Sequence, residues 1–304
     1  GFEFDAFEIS GLPRRPGIAQ ARAAMRALGA VRACRRILRQ RRPDVVLGGG
    51  GYVAGPMVLA AAARRIPTAV MEADAHLGLA NRLAAPLARR VFLSFPILGR
   101  EGGKYRVTGR PIPASSRVTL SPVEGRARFF LDHGPVLLVF GGSQGARSLN
   151  ELAVDSFAVA GPTVLHLSGE RDFASLAARV SRPDYRLLPF APDFGAALAA
   201  ADLVLARAGG SVWELAAAKR PAILVPYPFA TADHQRKNAR YFQEAGGAVV
   251  VPESELARVP ELARSLLGDP ARLGEMAAAM ARVARPHAAD EIAEELIGLA
   301  AAGG

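Results

Sequence analysis

The stretch Val136-Leu137-Leu138-Val139-Phe140-Gly141-Gly142-Ser143-Gln144-Gly145-Ala146 sets the fold class. Its first five residues are apolar without alternation, the pattern of a strand buried on both faces. Glycines close the run and a helix is expected to follow. Strand, glycine loop and helix in that order form the opening unit of a parallel α/β domain. The same plan recurs on either side. Gly48-Gly49-Gly50-Gly51-Tyr52 follows the apolar run 44–47, and Arg207-Ala208-Gly209-Gly210-Ser211 follows 203–205.

Working outward, further strands are expected at 68–71, 91–95, 164–167, 222–225 and 248–251, with a short one at 105–108. Helices fill the gaps. Beyond Glu253 the chain reads as helical, with a break at Arg285-Pro286. Residues 96–122 interrupt the alternation with four prolines and four glycines, which predicts a crossing between two domains. Ser121-Pro122-Val123-Glu124 then reads as a helix start with a capping box. The expected division is 1–112, 113–284, and a C-terminal helix, 285–304, returning toward the first domain. Two such domains facing each other would form a cleft.

Composition narrows the class. The chain has 304 residues, half of them hydrophobic and 22% charged, which excludes a disordered protein. One cysteine, Cys34, excludes a disulfide scaffold and a cysteine-ligated zinc site. No apolar stretch approaches the roughly 20 residues of a membrane-spanning helix. The first residues lack the pattern of a signal peptide. The chain opens at Gly1 without Met and is read as a fragment.

The formal charge of +10 sits in one place. Residues 9–43 hold ten arginines and no acid, and the remaining chain carries 28 charges of each sign. A helix is expected over 18–40, with Met25, Leu28, Val31 and Leu38 at helical spacing. A basic helix with an apolar stripe can lie on an anionic membrane. It can equally pack its stripe on a sheet and leave the arginines in water. No aromatic residue interleaves these arginines, so nucleic acid is not the expected partner.

The three glycine loops end strands where ligands of parallel α/β folds bind, and a helix N-terminus favours phosphate. Such a loop also serves simply to join strand to helix. Glu214, placed after the third loop, could accept hydrogen bonds from ribose hydroxyls, or complement its helix dipole. Asp233-His234-Gln235 could read sugar hydroxyls, or cap a helix. Neither G-x-x-x-x-G-K-[ST] nor a clean G-x-G-x-x-G occurs. The histidines lack metal-ligand spacing and no Asp-x-Asp pair is present, so no metal and no cofactor are expected.

Taken in order, these motifs resemble the MurG family of peptidoglycan N-acetylglucosaminyltransferases. The resemblance rests on Pro43-Asp44-Val45-Val46-Leu47-Gly48 running into Gly50-Gly51-Tyr52-Val53-Ala54-Gly55-Pro56, on residues 141–146, on Arg207-Ala208-Gly209 with Glu214, and on His234-Gln235 with Asn238-Ala239. It covers essentially the whole chain. It implies a GT-B fold of two Rossmann-like domains, and an inverting transfer of N-acetylglucosamine from UDP-N-acetylglucosamine to an undecaprenyl-diphosphate-linked muramoyl peptide. The expected location is peripheral, on the cytoplasmic face of the bacterial membrane. Carried over by position, Ser143 would contact the donor diphosphate and Ala191 the uracil. Gly209, Gly210, Ser211, Val212, Trp213 and Glu214 would hold diphosphate and ribose, with Glu214 on the ribose hydroxyls. Gln235 and Asp74 would meet the sugar. Gly49, Gly50, Gly51 and Tyr52 would face the acceptor diphosphate. Arg22, Met25, Arg26 and Arg32 would lie on the membrane-facing surface.

Four departures from the family pattern stand out. A first strand and a further glycine loop with its histidine are absent before Gly1, which predicts weak catalysis by the chain as given. Met71-Glu72-Ala73-Asp74 replaces His-Glu-Gln-Asn. Pro113 stands where an arginine would meet the donor phosphate. The loop 207–214 is one residue short. Asp74, Glu72 and His76 share one loop, and none is assigned as the catalytic base. Two other readings stay open: another GT-B transferase with a lipid acceptor such as diacylglycerol, and a non-catalytic nucleotide-sugar-binding relative.

Overall fold

The structure is a computed structural model. It describes residues 3–7, 18–131, 134–142 and 145–303, with only the backbone described for 18–28 and for Tyr52. The chain forms two compact units, Gly1–Arg110 with His287–Gly304, and Pro111–Pro286.

The first unit runs α1 (Ile18–Arg41), β1 (Val46–Gly48), α2 (Gly51–Ala62), β2 (Thr68–Glu72), α3 (Leu79–Ala84), β3 (Arg90–Leu93) and β4 (Tyr105–Val107). Its four strands are parallel in the order β1-β2-β3-β4. Side chains of a strand alternate between faces, and two helical layers use that alternation. Val70, Val91 and Leu93 pack with Val58 of α2 and Ala84 of α3. Ala69 and Phe92 point the other way, onto Ile292 and Leu299 of the C-terminal helix.

On α1, Cys34 and Leu38 are buried with Val46, Ala60 and Ala61, and Val31 packs against them. The described part of the apolar stripe therefore faces the unit's own core. Arg32, Arg35, Arg36 and Arg39 are exposed. This described half of α1 is a packed helix with a solvated arginine face.

The second unit runs α4 (Pro122–Arg128), β5 (Val136–Phe140), α5 (Arg147–Phe157), β6 (Thr163–Leu167), α6 (Glu170–Ala177), β7 (Tyr185–Leu188), α7 (Phe194–Ala200), β8 (Leu203–Ala206), α8 (Val212–Ala217), β9 (Ala222–Leu224), α9 (His234–Glu244), β10 (Ala248–Val250), α10 (Val259–Leu267) and α11 (Pro270–Val283). The last helix, α12 (Ala288–Ala301), belongs to the first unit. The capping box at Ser121 forms as expected: its side chain accepts from Glu124 N, and the Glu124 carboxylate accepts from Ser121 N.

Six parallel strands lie in the order β10-β9-β8-β5-β6-β7. Counted from β5, that is the 3-2-1-4-5-6 order of a doubly wound dinucleotide-type sheet. Leu137, Val139, Val164, Leu203 and Leu205 face Leu149, Val259 and Met276 in the main core. Phe140 packs edge-on to Phe194 of α7, with ring centroids 5.0 Å apart. The strand β7 was not expected from the sequence, because Tyr185-Arg186-Leu187-Leu188 interrupts its apolar run with Arg186 and sits at the sheet edge. After α3 the chain makes a 3-10 turn at Ala85–Leu87, where Pro86 has no backbone donor to continue the α-helix.

Candidate active site

In a doubly wound sheet the chain leaves β5 toward β6 and later returns to β8, so the loops after these two neighbours diverge and leave a crevice. Here those loops are 141–146 and 207–211. A cavity of about 310 Å³ opens at this point, lined by Ser116, Phe140, Gly142, Leu167, Pro189, Phe190, Ala191, Phe194, Ser211 and Glu214. Its walls differ in chemistry. Phe190, Phe194 and Ala191 supply apolar lining, and Ser211 and Glu214 supply polar lining. Of the residues expected at the donor, the structure brings Ala191, Ser211 and Glu214 to one cavity.

Ser143 lies outside the described residues, as does Gln144. The backbone on either side of them is described. Gly142 has φ +87° and Gly145 φ +69°, and Gly145 N donates to the Gly142 carbonyl at 2.9 Å. A Cβ on Gly145 would stand 2.4 Å from the Ser168 carbonyl oxygen, so only glycine fits.

Gly209 and Gly210 are half-buried at the start of α8. Val212 and Trp213 are fully buried. The indole of Trp213 packs edge-on to Phe242 with centroids 5.3 Å apart. These two side chains belong to the core and have no face for a ligand, so only their backbone could serve one.

Three side chains hold this region. Asn238 of α9, fully buried, donates from Nδ2 to the Ala208 carbonyl at 3.3 Å. Gln235 accepts at Oε1 from Tyr227 N at 2.9 Å, tying the start of α9 to the loop after β9. Arg207, 8% exposed, donates to both carboxylate oxygens of Glu253, to Ser148 Oγ at 2.8 Å and to the Val225 carbonyl at 3.2 Å. Its guanidinium also lies 5.6 Å from the Tyr227 ring centre. Burial opposes the Glu253 charge, but hydrogen bonds from Arg207 and Ser148, with the Arg207 charge, hold its carboxyl below the usual range.

In the first unit, Gly50 caps α2 with φ +91° and Gly51 follows with φ +68°. A Cβ on Gly50 would lie 3.4 Å from the Met71 carbonyl and 3.6 Å from Asn81 Nδ2. Asn81 Nδ2 donates to the Met71 carbonyl and to Glu72 Oε2, both at 2.9 Å. The buried Glu72 carboxylate accepts as well from Asp74 N at 3.2 Å and Gly78 N at 2.8 Å. Glu72 therefore fixes the loop that carries Asp74, and Asn81 joins that loop to the glycines. Gly49 is exposed beside them, and the side chain of Tyr52 lies outside the described residues. Of the surface residues named from the sequence, Arg32 is exposed, while the side chains of Arg22, Met25 and Arg26 lie outside the described residues.

The sequence did not announce Asn81, Arg207 with Glu253, or the buried group of Asn150, His166 and Tyr185. Their partners are 9, 46, 16 and 19 residues away in sequence. Such pairs arise only when strands and loops are brought side by side, and no local pattern encodes them.

Comparison with known proteins adds to this geometry. Residues 136–292 match the glycosyltransferase family 28 C-terminal domain, and residues 1–93 match the glycosyltransferase family 28 N-terminal domain. The chain is 36% identical over 309 residues to the UDP-N-acetylglucosamine--N-acetylmuramyl-(pentapeptide) pyrophosphoryl-undecaprenol N-acetylglucosamine transferase of Halothermothrix orenii, covering 95% of this chain and 83% of that one. It is 39% identical over 306 residues to the protein of the same name from Rubrobacter xylanophilus, covering 98% and 89%. The crystal structure of Acinetobacter baumannii MurG superposes with TM-score 0.72 at 29% identity, covering 91% of this chain and 79% of that one. A UDP-GlcNAc 2-epimerase from Neisseria meningitidis bound to UDP-GlcNAc shares the fold alone, with TM-score 0.64 at 16% identity, covering 90% and 82%.

Proposed function

The chain belongs to glycosyltransferase family 28, and from that premise we propose that it moves N-acetylglucosamine from UDP-N-acetylglucosamine to the 4-hydroxyl of an undecaprenyl-diphospho-N-acetylmuramoyl peptide. This is the step in peptidoglycan synthesis that turns lipid I into lipid II. The reading rests on the cavity at the β5/β8 switch point, whose lining includes Phe190 and Ala191 together with Ser211 and Glu214. A nucleoside diphosphate asks for that combination: an apolar wall for the base, a carboxylate for ribose hydroxyls, and glycine backbone near the diphosphate.

The reaction is a single displacement. The acceptor oxygen forms a bond to the anomeric carbon, the bond from that carbon to the diphosphate oxygen breaks, and the hydroxyl proton leaves the acceptor. Configuration inverts. Charge grows on the departing UDP, where loop N–H groups at 141–146 and 209–211, with Ser143, would offset it. Gln235 and Asp74 are assigned to the sugar, and Gly49 to Tyr52 to the acceptor diphosphate.

The acceptor is a lipid, and the first unit is assigned to an anionic membrane surface on the cytoplasmic side. Among the described residues no helix is long and apolar enough to cross a membrane. Leu79 and Leu83 on α3 and Leu87 on the 3-10 turn after it are 61%, 66% and 46% exposed. Arg82 and Arg89 are exposed on the same segment. Exposed leucines rimmed by arginines suit the boundary of an anionic bilayer.

The test is transfer of radiolabelled sugar from UDP-N-acetylglucosamine to the undecaprenyl-linked muramoyl peptide, with diacylglycerol as the competing acceptor. Label in the muramoyl lipid alone supports the proposal. Label in diacylglycerol, or binding without transfer, assigns a different acceptor or a non-catalytic role.

A further inference from the structure

We infer that His166 is a positioning residue for the last residues of the donor loop, Gly145 and Ala146, acting through the side chain of Asn150 and the carbonyl of Ser168. The inference rests on the donor-site reading above. It concerns a residue on the sheet face opposite the cavity.

The directions of the hydrogen bonds follow from the partners. Asn150 is buried, and one end of its amide meets two acceptors, the Ser168 carbonyl and Asp172 Oδ2, each at 2.9 Å. Only the NH₂ end can face two acceptors. Oδ1 then faces His166 Nε2 at 3.0 Å, so Nε2 must carry the proton. The other ring nitrogen, Nδ1, lies 2.8 Å from Tyr185 Oη. His166 is fully buried, and burial lowers its pKa to about 3, so the ring is neutral and Nδ1 is bare. Tyr185 therefore donates to Nδ1. Burial raises the tyrosine pKa, which keeps that proton in place. A one-way chain results: Tyr185 to His166, His166 to Asn150, Asn150 to Ser168 and Asp172.

The chain ends beside the donor loop by one side-chain route. The Asn150 side chain holds the Ser168 carbonyl against which Gly145 packs too closely for any Cβ. The backbone of Asn150, which donates to the Ala146 carbonyl at 2.9 Å in the first turn of α5, places that side chain next to the loop's last residue. Asn150 thus fixes the surface on which Gly145 rests. With a partner on each side, its amide has one orientation. Remove the His166 donor, and Asn150 Oδ1 is left buried without that partner; the side chain must shift to find another, and the Ser168 carbonyl it holds shifts with it.

His166 touches no ligand-facing atom, so its loss should be felt on the donor side alone. In the full chain, His166→Leu is expected to raise the donor KM roughly tenfold, the size of one buried amide group left unpaired. The acceptor KM should not change. His166→Gln, whose amide offers one donor and one acceptor, is expected to restore most of the donor KM. A folded His166→Leu with the wild-type donor KM, or with both KM values raised in parallel, overturns the inference. If His166→Leu does not fold, Tyr185→Phe is read in the same way, since it removes one hydroxyl and little volume. Its expected result is a donor KM raised about threefold, within the range of one net hydrogen bond, and unchanged or parallel KM values overturn the inference. Nitrogen-15 spectra of the wild-type chain supply a readout independent of activity. A neutral His166 ring protonated at Nε2 at pH 7 is expected, and an Nδ1-protonated or charged ring overturns the chain of donors. Failure of the wild-type chain to bind UDP or UDP-N-acetylglucosamine would overturn the donor-site reading and this inference with it, whereas a normal wild-type titration with insensitive variants would overturn the inference alone.

Discussion

Arg207 and Glu253 meet through both carboxylate oxygens, although 46 residues separate them, and the arginine side chain is 10% exposed against 26% for the acid. The pair ties the start of the loop 207–211 to the segment after β10. Replacing Arg207 with Met removes the cation and leaves a partly buried carboxylate without it. The expected cost is on the order of 3 kcal/mol of folding stability. Arg207→Lys recovers only part of that, because an ammonium cannot make the two-oxygen contact. Urea unfolding of the two variants checks both statements.

Gly145 is expected to tolerate no side chain. Its φ of +69° and the 2.4 Å approach to the Ser168 carbonyl both oppose a Cβ. Gly145→Ala should destabilise by about 1–3 kcal/mol and weaken UDP binding in the fraction that folds. Thermal melting and equilibrium dialysis with UDP measure the two effects separately.

Glu214 sits half-buried in the cavity wall at the first turn of α8. Glu214→Ala is expected to weaken UDP binding at least tenfold, as for lost hydrogen bonds to a charged group of roughly 1.5–3 kcal/mol. Equal affinity for UDP in the variant would remove Glu214 from the ribose.

Acid should destabilise the second unit in a defined window. The His166 ring has a pKa of about 3 in the folded chain against an ordinary 6.5. Between those values the unfolded chain binds the proton and the folded chain does not. Its stabilisation is therefore full above about pH 6.5 and is lost as the pH falls toward 3, at no more than about 1.4 kcal/mol per pH unit. The Glu253 carboxyl, held below its ordinary 4.5, adds a loss in the same direction only at lower pH. Unfolding free energies between pH 6.5 and 5 should fall for the wild-type chain and be flatter for His166→Gln.

The leucines on the first unit give a membrane prediction. Leu83→Gln with Leu87→Gln should reduce binding to vesicles containing phosphatidylglycerol by roughly thirtyfold, since each substitution removes about 1 kcal/mol of apolar burial. The folded stability should be unaffected, because both side chains are exposed. Binding to neutral vesicles should be weak in either case, through the exposed arginines. Sedimentation with vesicles of both compositions decides it.

The parts of this protein that are periodic or glycine-marked were legible in the sequence. The run 136–140, the three glycine loops and the capping box at Ser121 follow local rules and appear in the structure where those rules put them. Edge strand β7 was not legible, because Arg186 breaks its apolar pattern and only pairing with β6 defines it. The apolar stripe on α1 was legible as a helix but not in its destination, since Leu38 and Cys34 could face lipid or the neighbouring α2 by the same spacing. At the site, Ala191, Ser211 and Glu214 could be carried over by resemblance. Asn81, Asn150, His166 and Glu253 could not, because each acts through a partner that only the fold brings near.

We propose that the second unit holds UDP-N-acetylglucosamine at the β5/β8 switch point. The decisive experiment is calorimetric titration of UDP-N-acetylglucosamine into the whole chain, with UDP-glucose alongside. One site per chain is expected, tighter for the N-acetylated sugar and weakened by Glu214→Ala. Absence of binding by the folded chain, or equal affinity for the two sugars with no dependence on Glu214, would contradict it.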